Sequence, residues 1–238
     1  MEEVFRLWVY LSRTPLLWLT ATLVAYAAAD WISARLRRTP LANPVLLAVV
    51  ILVLLLAATG TEYRVYFDGA QFVHFMLGPA TVALAVPLVR EARQIRRLLL
   101  PVIAALLGGS ITSAVTAVAV GWLLGADPAT LASLAPKSVT TPIAMSIAQS
   151  IGGIPALTAV CVILTGIIGA VFLSPLMRAI GVSDEAAQGF AAGVAAHGIG
   201  TARAFQIGEL AGTFAGLGLA LNGIATSILV PLLARLLR

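Results

Sequence analysis

Charged residues and cysteine are scarce in this chain of 238 residues. Only 11% of the residues are charged while 60% are hydrophobic, and the mean hydropathy is +1.01. Soluble globular proteins carry about 25% charged residues, so the composition excludes that class and predicts an all-α integral membrane protein. The single cysteine, Cys161, lies in an apolar segment. It can form no internal disulfide, and it predicts no cysteine metal site.

The motifs of common enzyme classes are absent as well. The sequence contains no HExxH, GxSxG, SxxK or GxxxxGK pattern, and its carboxylates do not cluster. We therefore expect no enzymatic activity, no metal and no cofactor. The net charge of +5 comes from arginines in short loops beside apolar segments. Such arginines are typical of topology signals and argue against nucleic-acid binding.

What the sequence does contain is a series of long apolar runs. The continuous runs cover residues 16–34, 45–59, 98–124, 154–177 and 210–233. Together with interrupted runs, they predict about eight transmembrane segments. The arginine-rich loops after the first run and before residue 98 are expected in the cytoplasm. The acidic start Met1-Glu2-Glu3 is unlike a signal peptide, so we expect a multi-pass protein of the inner (plasma) membrane that keeps its first span.

The interrupted runs contain glycine or proline, which disfavour helices. These residues are Gly78 and Pro79 in the third run, Pro136 within residues 128–150, and Gly198 and Gly200 in the run after residue 184. We therefore predict broken helices, with the breaks at Gly78-Pro79 and Pro136 meeting near the middle of the bilayer.

A constant offset of 57 residues aligns several of these features. It pairs Pro79 with Pro136 and Asp127 with Asp184. The offset predicts repeat units at about 66–127, 128–184 and 185–238 within a single transmembrane domain of residues 1–238. The repeats are parallel if the broken helices cross the membrane, and inverted if they are re-entrant hairpins. The sequence leaves both arrangements open.

The only lysine, Lys137, follows Pro136 inside an apolar run. A buried ammonium usually faces a wet cavity or an anion, and Pro136 suits the first turn of a half-helix whose N-terminus attracts anions. We therefore predict a carboxylate site here, the alternative being a lysine that extends to the interface. The full set of predicted substrate-binding residues is Lys137, Ser138, Thr140, Thr141, Thr81, Arg203, Thr201 and Asn222.

Two of these predictions have specific alternatives. Arg203 is the second basic residue away from the obvious loops, but it is also expected near the end of its segment, where it can act as a topology signal. The hydroxyls and the Asn222 amide can bind a substrate oxygen, but in membrane helices such groups also bond their own backbone or a neighbouring helix.

His197 and Glu209 are the candidates for proton coupling. An imidazole changes charge between about pH 5 and 8, so we expect transport that depends on pH in this range and loses that dependence in His197→Gln. Glu209 could pair with Arg203, six residues earlier. The alternatives are a histidine that only shapes its Gly-rich turn and a glutamate in an interfacial loop.

Three motifs in order resemble the LrgB/CidB family: residues 77–88, residues 136–142 and residues 197–204, followed by Asn222-Gly223. The resemblance covers residues 40–235. It implies an antiholin-like, murein-hydrolase-regulating protein that forms oligomers, with a small LrgA/CidA-type membrane protein as partner. It equally implies a transporter, because a plant relative is the plastidic glycolate/glycerate translocator and bacterial relatives are linked to pyruvate uptake.

The residue chemistry favours the second implication. We predict a transporter of small monocarboxylates such as glycolate, glycerate or pyruvate, with antiholin-like action through oligomeric assembly as the alternative. An oligomeric interface of small residues does not explain a lysine at membrane depth. The observation that separates the two is whether Lys137, His197 and Arg203 converge on one cavity within a subunit or on an axis between subunits.

Overall fold

The computed structural model describes residues 15–39, 42–83 and 85–236. The chain forms two compact units, Met1–Ala85 and Val86–Arg238, and their boundary falls inside the first predicted repeat. Throughout the described residues the regular elements are α-helices, without strands. The helices are α1 Pro15–Arg35, α2 Pro44–Thr59, α3 Tyr63–Ala83, α4 Ala85–Arg90, α5 Ala92–Arg97, α6 Leu99–Leu123, α7 Pro128–Leu134, α8 Thr141–Ser150, α9 Pro155–Ala179, α10 Glu185–Ile207 and α11 Glu209–Leu236.

Four of these helices are long and apolar enough to cross a bilayer. They are Leu16–Arg35, Leu99–Leu123, Pro155–Ala179 and Glu209–Arg235. Each corresponds to a continuous apolar run of the sequence, so the prediction of a helical membrane protein is confirmed. The remaining continuous run forms α2, a shorter apolar helix of 16 residues.

In the first unit, α1 packs against both α2 and α3. Trp18 is almost completely buried and meets the Tyr66 ring edge-on, with 5.9 Å between the ring centroids. The Thr22 hydroxyl donates to the Tyr66 hydroxyl at 3.2 Å. Asn43 caps α2 by accepting from two backbone N–H groups. Aromatic and polar contacts therefore join α1 to α3, and the Asn43 cap defines the start of α2.

The predicted break at Gly78-Pro79 is wrong, because α3 continues through Pro79 to Ala83. A proline removes only one backbone donor, and long apolar helices tolerate that loss. The helices α9 and α11 likewise contain Pro175 and Pro231 without ending there.

In the second unit, α6 and α11 run side by side in the same direction. Val102 near the start of α6 shares an apolar cluster with Phe214 near the start of α11. Ala114, further along α6, shares another cluster with Val230, further along α11. The two helices therefore form a parallel pair around which the other segments are arranged.

Hairpin 1 is formed by residues 128–150. It consists of α7, a turn and α8, and the chain folds back on itself at the turn. The break predicted at Pro136 is confirmed, because α7 ends at Leu134 and α8 begins at Thr141. The Ser133 hydroxyl of α7 accepts from the Ile154 N–H just after α8, at 2.7 Å. A Cβ at Gly153 would lie 2.9 Å from the Ser133 nitrogen. Hairpin 1 therefore enters and leaves at the end of the unit where α6 terminates.

Residues 185–207, the helix α10, form hairpin 2. Ala196 and His197 have non-helical backbone angles, and a Cβ at Gly208 would lie 2.5 Å from the Glu185 carboxylate. A straight helix of this length would separate its ends by about 33 Å, so α10 doubles back at Ala196-His197. The predicted break at Gly198 and Gly200 needs correction, since both glycines are helical. Hairpin 2 enters at the end of the unit where α11 begins.

Candidate functional site

The tips of the two hairpins meet at Asn222, in the middle of α11. Its Nδ2 donates to the Val194 carbonyl of hairpin 2 at 2.9 Å and to the Ser138 carbonyl and hydroxyl of hairpin 1 at 3.3 Å each. Its Oδ1 accepts from the Ser110 hydroxyl of α6 at 2.6 Å and from Thr226 at 3.1 Å. Asn222 has no exposed surface. One amide therefore connects both hairpin tips to both helices of the parallel pair.

Lys137 lies in the tip of hairpin 1, where it is half-buried. Its Nζ donates to the Ser113 hydroxyl of α6 at 3.3 Å, and it lies within electrostatic range of the Cys161 thiol of α9. Both partners are neutral groups, whereas a buried ammonium is stabilised best by an anion. The tip of hairpin 1 therefore presents a positive charge to the centre of the unit.

The half-helix after Lys137 begins later than predicted. Its first residue is Thr141, Thr140 is its N-cap and Pro142 lies in its first turn, whereas Pro136 belongs to the preceding turn. The physical reason is that Pro142 suits the first turn of a helix equally well. Thr140 makes no side-chain capping bond. The N-terminus of α8 therefore keeps backbone donors that a ligand oxygen can accept from.

His197 forms the tip of hairpin 2 and is 5% exposed. Its φ of 42° is positive, a conformation that costs a residue other than glycine about 1–3 kcal/mol. Its Nε2 donates to the Val162 carbonyl of α9 at 2.9 Å. The ring lies against Gly166, where a Cβ would come within 2.7 Å of it. The strained tip is therefore held by a hydrogen bond and by the absence of a side chain at Gly166.

Lys137 and His197 lie near the same turn of α9, but Arg203 does not. Lys137 lies near Cys161, His197 bonds to Val162, and the Arg203 guanidinium donates to Ser174 at 3.4 Å and to Gln206 at 2.9 Å. Cys161 and Ser174 are 13 residues apart in the sequence, which is about 20 Å along a helix axis. The structure therefore does not bring Arg203 to the tip of hairpin 1.

Glu209 lies at the surface rather than beside Arg203. Its carboxylate pairs with Arg90 at 3.9 Å, and the two side chains are 78% and 70% exposed. The expected pairing with Arg203 is therefore corrected, because α11 begins at Glu209 and directs that end toward the arginine-rich loop. Thr201 is buried, and its hydroxyl donates to the carbonyl of His197 in its own helix.

The side chain of Thr81 lies outside the described residues. Within the described residues no group of three or more His, Cys, Asp or Glu side chains could hold a metal. A groove of about 890 Å³ lies between α6, α7 and the end of α11, and Val118, Leu131 and Val230 are among its apolar lining residues. None of the predicted site residues lines it.

The sequence analysis did not identify Ser110 and Ser113. Both hydroxyls lie in the continuous span α6, and they bond to Asn222 and Lys137. The sequence offered one signal for these residues, a hydroxyl inside an apolar run. That signal is weak, because serine in a membrane helix usually bonds its own backbone.

Comparison with known proteins gives one matching family model and several similar proteins. The model described as the LrgB-like family matches residues 22–236. The uncharacterized protein YwbG of Bacillus subtilis is 34% identical over 212 residues, which cover 89% of this chain and 94% of that protein. The antiholin-like protein LrgB of Bacillus mycoides is 30% identical, covering 93% and 96%. The holin-like protein CidB of Staphylococcus epidermidis is 29% identical, covering 89% and 92%. No solved structure is significantly similar to the chain.

Proposed function

Because the chain belongs to the LrgB-like family, we propose that it acts in the inner (plasma) membrane as a holin-like or antiholin-like protein. The support is the naming of relatives that match it over almost their whole length, one as holin-like and one as antiholin-like. In this role it regulates murein hydrolases and the timing of lysis, as a homo-oligomer with a small LrgA/CidA-type partner. Exposed apolar side chains such as Leu100 and Leu124 supply surface for lipid or another subunit.

The test of this proposal is lysis in living cells. We expect expression of the full chain in a bacterium without related proteins to change the rate at which a cytoplasmic enzyme is released after murein synthesis is blocked. The test variant is Asn222→Ala, compared at the same membrane level, because it disconnects the hairpin tips. Release that is identical with the wild type, the variant and an empty vector would contradict the proposal.

A second candidate function, transport of small monocarboxylates, is favoured by one observation. Two hairpins enter the second unit from opposite ends, and their tips meet at Asn222 beside the half-buried Lys137. Broken helices that meet inside a membrane domain are typical of transporter binding sites. The names of the relatives mention no carboxylate, so this candidate rests on geometry.

In this second function, Lys137 binds the carboxylate of a glycolate-, glycerate- or pyruvate-like substrate. Ser138, Thr140 and Thr141 lie at or just before the start of α8, where hydroxyls and backbone donors can bind the second substrate oxygen. His197 is the candidate for proton coupling. We leave Arg203 out of this proposed site, because its guanidinium donates to Ser174 and to Gln206.

Inverted repeats would account for the opposite entry of the hairpins. The proposed units are residues 128–184 and 185–238, each a hairpin followed by a span, within about eight membrane segments when the hairpins are counted. Their support is that Asp127 and Asp184, which the offset pairs, both cap the first helix of a hairpin.

Uptake of a labelled monocarboxylate into vesicles with an imposed pH gradient tests transport and its coupling together. We expect the wild type to respond to pH between about 5 and 8, and His197→Gln to lose that response while binding is retained. Uptake equal to that of protein-free vesicles would exclude transport. Uptake that does not depend on the pH gradient would exclude only the proposed role of His197 in proton coupling.

A further inference from the structure

The short helices α4 and α5 carry four arginines immediately before the span α6. Arg90 pairs with Glu209. The other three, Arg93, Arg96 and Arg97, line a surface pocket of about 430 Å³ together with Ala92. We refer to these four lining residues as the arginine pocket. No acidic residue is among them, so their positive charges are not neutralised within the pocket itself.

Packing of α5 fixes the direction of these arginines. Residues three and four positions apart share one face of a helix, which places Arg93, Arg96 and Arg97 together. Ile95 and the following Leu98 pack against the apolar cluster that contains Val102. One face of α5 is therefore anchored in the protein, and the arginine face remains exposed.

The arginine pocket lies immediately before a candidate membrane span. The helix α6 begins only two residues after Arg97 and is one of the candidate spans. Its first residues, Leu99 and Leu100, are 54% and 79% exposed, so they are available to contact acyl chains. A ligand that fills the arginine pocket beside these leucines needs a charged head and an apolar tail.

We propose that the arginine pocket binds the phosphate of an anionic phospholipid. Guanidinium groups bind phosphate oxygens in pairs of parallel hydrogen bonds, so three of them on one face form a strong phosphate site. The volume of about 430 Å³ lies within the usual range of roughly 300–1,000 Å³ for small-ligand sites. The positive-inside rule places this loop in the cytoplasm, where anionic headgroups attract basic residues.

Lipid binding to the purified full-length protein tests this proposal. The probe is phosphatidylglycerol, with phosphatidylcholine as the zwitterionic comparison, and bound lipid is counted by native mass spectrometry. The test variant is Arg93→Gln, Arg96→Gln, Arg97→Gln. The control is Arg64→Gln, Arg178→Gln, Arg235→Gln, which removes the same charge from exposed arginines outside the arginine pocket.

We expect the wild type to prefer phosphatidylglycerol and the test variant to lose about 100-fold in its affinity, since each arginine near the surface contributes about fivefold. The control should lose much less affinity than the test variant, because none of its three arginines lines the arginine pocket. If the triple variant does not fold, Arg96→Gln alone should lose about fivefold.

Three results would overturn the proposal. The first is equal affinity for the two lipids. The second is an equal loss in the control, which would mean general attraction by net charge. The third is full competition by soluble glycerol phosphate at the concentration of the lipid headgroup, which would mean a free-phosphate site.

Discussion

Asn222 is the residue with the most long-range contacts among the hydrogen bonds described above. Its amide connects Ser110, Ser138 and Val194, which are 112, 84 and 28 positions away in the sequence. Because the amide is fully buried, its removal leaves several polar groups without partners. Each such group costs about 1–3 kcal/mol.

Substituting Asn222 should therefore destabilise the protein strongly. We expect Asn222→Ala to lower the free energy of unfolding by about 2–4 kcal/mol, measured by denaturation in detergent. The matched control is Ser227→Ala on the same helix, because the one hydrogen bond of the Ser227 hydroxyl among the described residues is to the carbonyl of Gly223 in its own helix. The control should change stability by less than about 0.5 kcal/mol. Equal effects of the two substitutions would contradict the role of Asn222.

For Lys137 we predict that substitution affects function and not folding. Its single described hydrogen bond, to Ser113, is long at 3.3 Å, so Lys137→Ala should fold and insert normally. If the chain transports carboxylates, that variant should abolish uptake into vesicles, and Lys137→Arg should remain impaired because a planar guanidinium differs from a compact ammonium. Full uptake by Lys137→Ala would refute the assignment, whereas Ser113→Ala is expected to reduce uptake only partly.

At the scale of elements, hairpin 2 packs closely on α9 because Gly166 has no side chain. A Cβ there would approach the His197 ring within 2.7 Å and Ile199 within 2.8 Å. We expect Gly166→Ala to displace the tip and lower the free energy of unfolding by about 1–3 kcal/mol. Gly108→Ala is the matched control, because a Cβ at Gly108 meets no atom within 4 Å.

For the control we also predict the direction of the change in stability. Since alanine favours helix over glycine by about 1 kcal/mol, Gly108→Ala should be neutral or stabilising. Thermal unfolding of both variants in the same detergent checks the pair. A Gly166→Ala variant as stable as the wild type would mean that hairpin 2 does not depend on this close approach.

The two hairpins also predict which loops share a side of the membrane. In a Cys161→Ser background, Ala126→Cys just before hairpin 1 and Ser150→Cys at its last residue should react with a membrane-impermeant maleimide from one side. Ser183→Cys just before hairpin 2 and Gln206→Cys at its end should react from the other side. The reason is that each hairpin leaves the second unit where it entered. Opposite labelling of two cysteines that flank the same hairpin would mean that the hairpin crosses the membrane.

At the scale of the whole molecule, the apolar composition and the all-helical structure determine which membrane the protein enters. Helices satisfy their own backbone hydrogen bonds in lipid, whereas bacterial outer-membrane proteins are β-barrels. The described residues contain helices and no strands, so we expect the full chain to fractionate with the inner membrane and to resist alkaline extraction. Recovery with outer-membrane porins would contradict this expectation. Arg64→Gln should be recovered in the same fraction as the wild type, because Arg64 is exposed outside the apolar runs.

The sequence by itself determined the features that depend on neighbouring residues. Continuous apolar runs became the four long helices, since twenty apolar residues stabilise a helix in lipid wherever they occur. Asp127 and Asp184 begin their helices as caps, because a short carboxylate accepts from N–H groups only two or three residues away. The position of Lys137 in a helix break also followed from local pattern.

Only the tertiary structure decided what depends on distant partners. Pro79 and Pro136 align in the sequence, yet α3 continues through the first while α7 ends before the second. A proline removes one donor in either place. The chain doubles back after α7 because Ser138 bonds Asn222 and Ser133 bonds Ile154. Those contacts cannot be predicted from the sequence pattern. Hydrophobic periodicity indicates which face of a segment is apolar, but it does not indicate which other segment packs against that face.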